Sequence, residues 1–171
     1  NFAIAYSTSK AYKGRIEWNG PTAECCIKTT LARQIANWVI IYSPLQMAAD
    51  LIENYEGHPA FRFFRDFDAD CDWSKALQGE IGDYIVVARR AKDRHFLGAG
   101  TDEKARTLVQ KLDFLEPGVT YTATIYADAP DAGRNPEAYL IGKRAVTARD
   151  TIRIEMAERG GQAITFIPAE K

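Results

Sequence analysis

Four aspartates at alternate positions, Asp66, Asp68, Asp70 and Asp72, come nearest to a recognisable chemistry. Calcium takes carboxylate oxygens offered at the first, third and fifth positions of a loop, and this run supplies them. Such a loop also needs a glycine at its sixth position and a glutamate at its twelfth. Cys71 and Leu77 stand there, so a hydrated acidic linker is the expected role. His58 and His95 are isolated, and His58 precedes Pro59 at an expected helix start, so neither is read as a metal ligand or a base. The three cysteines, Cys25, Cys26 and Cys71, are an odd number with one adjacent pair. They make neither a disulfide framework nor a zinc motif and are expected to be buried or idle thiols. Trp73, Tyr84, Tyr121, Tyr126 and Tyr139 leave two roles open: packing the sheets, or stacking on sugars through exposed ring faces. Arg89, Arg90 and Arg144 alternate with apolar residues, as on a solvated sheet face.

The elements that must position these residues change character near residue 70. Before it the periodicity is helical. Thr29 or Thr30 can cap a helix in which Leu31, Ile35, Trp38, Val39 and Tyr42 recur at helical spacing, and Pro44 ends it. A short apolar run, Leu45 to Leu51, follows, and then a second helical pattern, His58 to Asp66, with Phe61, Phe64 and Phe67 on one face. From Trp73 onward the pattern is strand, turn, strand. Runs near Asp83–Arg90, His95–Gly100, Arg106–Leu115, Thr120–Ala127, Ala138–Ala148, Thr151–Ala157 and Gln162–Ile167 are rich in β-formers. Ile152, Ile154 and Met156 alternate with Arg153 and Glu155; Tyr121, Ala123 and Ile125 alternate with threonines. Pro117-Gly118, Asn135-Pro136 and Gly160-Gly161 supply turns. The expected fold is mainly β: an antiparallel sandwich of about seven or eight strands, Greek-key-like, preceded by a helical segment.

Composition narrows the function classes. With 22 Lys and Arg against 23 Asp and Glu the charges nearly cancel, which speaks against the basic stripe of a nucleic-acid binder. The uncharged run Gln34 to Ser43 falls well short of the ~20 apolar residues of a membrane span. The chain starts at Asn1 with no leader pattern, so it reads as a processed or excised piece.

The wording of several segments is more specific than their periodicity. Thr30-Leu-Ala-Arg-Gln-Ile35, Tyr42-Ser-Pro-Leu-Gln-Met-Ala-Ala-Asp50 and Glu53-Asn-Tyr-Glu-Gly-His-Pro-Ala-Phe61 come first. Gly79-Glu-Ile-Gly-Asp-Tyr84, Ala88-Arg-Arg90, Leu112-Asp-Phe-Leu-Glu-Pro-Gly118 and Tyr121-Thr-Ala-Thr-Ile-Tyr126 follow. Asn135-Pro-Glu-Ala-Tyr139 and Gly160-Gly-Gln-Ala-Ile164 complete the series. In this order the series resembles the carboxy-terminal end of glycoside hydrolase family 97. The resemblance implies hydrolysis of α-glucosides or α-galactosides on a (β/α)8 barrel closed by a terminal β-sandwich, in the periplasm or outside the cell. It divides the chain into an unmatched segment, 1–28, the last helix–strand–helix elements of the barrel, 29–68, and the sandwich, 69–171.

Glycoside hydrolysis needs two carboxyl groups across the scissile bond. The glutamate motif that supplies them in inverting family members has no copy here; Glu17 and Glu24 do not fit it. The chain alone is therefore expected to be inactive, without a metal site. The calcium that the resemblance implies for many full-length members would have its ligands upstream. Asp50, at the carboxy end of the expected last barrel strand, is the one residue that could touch substrate; capping a turn or pairing with Arg62 or Arg65 is the alternative. Expected partners are the rest of the barrel or a second copy of the chain, with an α-glucan or α-galactoside as the possible ligand. Leu31, Ile35, Trp38, Phe61 and Phe64 are expected to lie bare as an apolar patch where barrel elements are missing. A free-standing carbohydrate-binding sandwich and a purely structural assembly module are the rival readings.

Overall fold

The computed structural model describes residues 29–47 and 52–169. Helix α1 (Leu31–Ile40) starts where a threonine can satisfy a free N–H of the first turn: the Thr30 hydroxyl accepts from the Arg33 N–H at 3.1 Å. Short helices α2 (Ile52–Tyr55) and α3 (Phe61–Asp66) follow. The strands are β1 (Trp73–Glu80), β2 (Tyr84–Ala91), β3 (Arg94–Thr101), β4 (Arg106–Lys111), β5 (Tyr121–Asp128), β6 (Tyr139–Val146), β7 (Thr151–Met156) and β8 (Gly161–Pro168).

Six strands form one antiparallel sheet in the order β1-β2-β3-β8-β5-β6, and β4 pairs with β7 in a second sheet. The chain leaves the large sheet after β3, returns as β5 and β6, leaves again for β7 and re-enters as β8 between β3 and β5. That is the expected sandwich with Greek-key-like crossings. β1 was not anticipated: it is an edge strand with mostly exposed residues, so no buried alternation marks it.

Each face of the large sheet has its own core. Leu97, Tyr121, Ile152, Ile154, Ile164 and Phe166 pack between the two sheets. Leu31, Ile35, Val39, Phe63, Phe96 and Ala163 pack between the sheet and the helices. A fully buried side chain of this size contributes ~1.5–3 kcal/mol, so neither face is incidental. The helix-side core corrects the expectation of a bare patch. Leu31, Ile35 and Trp38 are buried, and Phe61 and Phe64 are half-buried against the same cluster. The sheet itself takes the place foreseen for missing elements. Phe63, outside the expected stripe, is the fully buried ring of α3 and lies edge-on to Phe96 and Tyr126.

α1 can approach so closely because the sheet beneath it has little side chain. A Cβ on Gly98 would stand 2.6 Å from the Ala36 carbonyl oxygen, and one on Gly161 would stand 2.7 Å from Arg33 Cα. Residues 45–47, the first part of the expected Leu45–Leu51 segment, are coil with Leu45 and Met47 exposed, and residues 48–51 of that segment lie outside the described residues.

Candidate functional site

The sites singled out from sequence separate into residues held by partners and residues beyond view. Asp50, Glu17, Glu24, Cys25 and Cys26 lie outside the described residues. The acidic run is less free than a hydrated linker. Asp68 accepts from Lys92 Nζ at 2.8 Å, which holds its carboxyl below the usual range. Asp72 accepts from the Lys92 backbone N–H, and Asp66 pairs with Arg62 at 2.7 Å. The run pins the β2–β3 turn and the end of α3, with Asp66, Asp68 and Asp72 each paired with a cation. Among the described residues, no three His, Cys, Asp or Glu side chains converge as metal ligands.

Arg89 departs most from expectation. It is 1% exposed, where a solvated face was foreseen, because the sheet is covered on its side by the helical segment. Its guanidinium lies under the Tyr42 ring, 4.9 Å from the centroid, and its Nε and Nη1 have no hydrogen-bond partner among the described residues. Arg90 forms an ion pair with Glu116 at 2.8 Å, and Arg144 is exposed and donates to the Thr151 carbonyl. Cys71 is a half-buried free thiol whose pKa burial pushes up.

The aromatic residues pack. Tyr121 and Tyr126 are each 1% exposed, and burial pushes the Tyr126 hydroxyl up to about 12. Trp73 lies against His95, Tyr84 lies under the Arg106 guanidinium, and Tyr139 stacks on His58.

His95 is buried among Trp73, Phe114 and Tyr121, with Nδ1 unpartnered among the described residues. Burial holds its pKa below the ordinary 6.5, reinforced by the Arg90 cation; Glu116 and Asp93 act the other way. The unfolded chain therefore takes up the proton first. Stability is present above the ordinary histidine value and is lost as pH falls below it toward the folded value. Denaturant midpoints should drop across that acid window. The His95→Phe variant should show a shallower drop, with His58, which burial also depresses, still contributing. An unchanged slope would show that His95 does not resist protonation.

A hollow of about 580 Å³ lies beside the β1–β2 hairpin, lined by Arg33, Glu80, Ile81, Asp83, Tyr84 and Asp102 among others. Two of its acids, Asp83 and Asp102, do not suit proton transfer. Arg106 Nη2 donates to Asp83 at 2.9 Å and to Asp102 at 3.3 Å. The backbone N–H of Lys104, burial notwithstanding, holds the Asp102 carboxyl below its ordinary value, with Arg106 adding to the effect. A general acid needs the opposite shift. Asp128 does have a raised pKa, caused by burial, but it serves as a staple. Its Oδ2 accepts from the N–H groups of Ala157 at 2.9 Å and Gly161 at 3.0 Å, tying β5 to the β7–β8 turn. Sequence reasoning passed over Asp128, since nothing local marks a carboxylate that bonds to backbone about thirty residues away.

What is left open is surface. Ile41, Tyr42, Leu45, Met47 and Ile52 are exposed, and so are Leu140 and Ile141 on β6. No helix of the described residues is long and apolar enough to cross a membrane.

A family model described as glycosyl-hydrolase 97 C-terminal, oligomerisation, matches residues 70–167. A retaining alpha-galactosidase of Bacteroides thetaiotaomicron is 32% identical over 136 residues, which are 79% of this chain and 20% of that protein. A glycoside hydrolase family 97 enzyme from Pseudoalteromonas sp. strain K8, solved with acarbose, superposes with a TM-score of 0.86 and 40% identity. That match covers 99% of this chain and 26% of the enzyme. A variant of a family 97 enzyme from the same strain, solved with panose, gives 0.81 and 45% identity over 85% of this chain and 23% of its own. The chain thus spans about a quarter or less of each relative.

Proposed function

Because the chain belongs to glycoside hydrolase family 97 and carries its carboxy-terminal oligomerisation domain, we propose that it serves as the accessory and assembly part of an α-glycosidase and is inactive alone. The observation that carries this reading is the match of the oligomerisation domain over the whole sandwich, in a chain spanning about a quarter of its relatives. The geometry supports it. Asp83 and Asp102 are engaged by one arginine and Asp128 is engaged by backbone, so these carboxyl groups are not free to flank a glycosidic bond.

In this reading residues 29–68 continue from the barrel of the parent enzyme, and the exposed side chains of Ile41, Tyr42, Leu45, Met47 and Ile52 meet it. The parent acts on α-glycosidic bonds, supported by the acarbose and panose complexes and by the α-galactosidase. Its calcium ligands lie upstream, and it works in the periplasm or outside the cell, as the family resemblance implies. Assays with p-nitrophenyl α-glucoside and α-galactoside should read blank for this chain, and titration with maltose or galactose at millimolar sugar should give no heat. Turnover would overturn the inactive reading, and saturable heat would favour a carbohydrate-binding module.

A further inference from the structure

The large sheet has two edges, and they differ. β1 has a register shift between Ala76 and Gln78, and the Gln78 amide donates to Gln110 Oε1 at 2.8 Å on β4. A bulge and a tie of this kind blunt an edge against further pairing. β6 is open. It pairs with β5 through eight consecutive residues without a shift, and among the described residues no strand pairs with its outer side. Every residue from Leu140 to Ala145 is exposed, so neither face of the strand is covered. An eight-residue edge without proline leaves a row of backbone donors and acceptors that another strand can satisfy.

We propose that β6 is the assembly edge: two copies of this chain join β6 to β6, antiparallel, about a two-fold axis at Gly142. The proposal rests on the assembly role argued above and gives that role a location. The register follows from symmetry and charge. A two-fold axis perpendicular to a sheet keeps every residue on its own face, so the pairing must centre on a residue rather than between two. Centring on Gly142 or on Lys143 pairs most of the strand. The second choice sets two ammonium groups directly opposite each other, which is destabilising. The first sets Ile141 against Lys143 of the second copy and Leu140 against Arg144 of the second copy. Exposed apolar side chains then lie along the aliphatic stems of cations, and no like charges are directly opposed. Gly142 brings no side chain to the axis, where the two backbones meet.

Gly142 also makes the test clean. A Cβ added there meets nothing within 4 Å in the chain itself, so substitution leaves the fold intact. Gly142→Lys puts two ammonium groups face to face at the axis. Light scattering of the unaltered chain should give a dimer at micromolar concentration, and Gly142→Lys should weaken it at least ~10-fold with an unchanged circular dichroism spectrum. Gly142→Cys should cross-link to a dimer with a short thiol-bridging reagent, because directly opposed Cβ atoms lie ~5 Å apart. Leu140→Cys, four residues out of step with its own copy and so ~13 Å away, should not exceed the background of the native cysteines. A dimer that persists in Gly142→Lys, with no cross-link at Cys-substituted 142, would overturn the β6 edge and leave the assembly role standing. An unaltered chain that is monomeric up to about 0.1 mM would overturn both.

Discussion

Gly98→Ala is expected to lower the unfolding free energy by about 3 kcal/mol, the upper end of the range for overpacking a tight core. The added methyl would stand 2.6 Å from the Ala36 carbonyl oxygen and 2.7 Å from Val39 Cβ. One is backbone of α1, and the other is a fully buried side chain of the helix-side core. Neither can swing aside, so the helix must lift from the sheet or the strand must bow. Both responses open the cluster around Leu31, Ile35 and Phe63. Urea denaturation reads the effect as a lower midpoint. Gly133→Ala is the control: its Cβ meets nothing within 4 Å, so the shift should stay within about 0.5 kcal/mol. Equal effects at the two positions would mean that α1 is not seated on the Gly98 backbone.

Asp128→Ala should cost a similar amount, about 3 kcal/mol, for an electrostatic reason. It leaves the N–H groups of Ala157 and Gly161 without their acceptor, and each such loss costs about 1–3 kcal/mol. Gly160 lies so close that a Cβ there would strike Asp128 Oδ2, so the turn has no slack to re-form the bonds. Asp128→Asn keeps an oxygen in the same place and should lose far less. Aspartate and asparagine at this position also differ in pH dependence. Burial raises the Asp128 pKa above its ordinary value, against the pull of Thr30, Ala157, Gly161 and Arg33. A raised carboxyl contributes stability that is present below the unfolded value and lost as pH rises through the folded value. The asparagine variant should therefore gain on the unaltered chain as pH climbs from the ordinary carboxylate value upward. A constant difference over that rise would show that Asp128 is not desolvated.

Both predictions concern contacts between residues far apart in sequence, which no local pattern records. Ile152, Ile154 and Met156 alternate with exposed residues, and that strand lies over one core, so its inward face could be read directly. The sandwich, the helix capped at Thr30 and the family resemblance were legible for the same reason: each is written in neighbouring residues. β1 was not, because an edge strand exposed on both faces carries no alternation.

The stripe Leu31, Ile35, Trp38 and Val39 showed that a helix must bury one face, and could not say against what. Its partner is set by Gly98, Gly100 and Gly161, whose missing side chains matter only once two strands lie side by side under a helix. Arg89 looks like any arginine of a polar face until the segment bearing Tyr42 closes over it. Asp128 is an ordinary strand-end acid until the β7–β8 turn arrives. Periodicity records which face of an element is apolar. The choice of partner, and the burial of a charge, depend on backbones brought together from distant parts of the chain, and only the tertiary structure decides them.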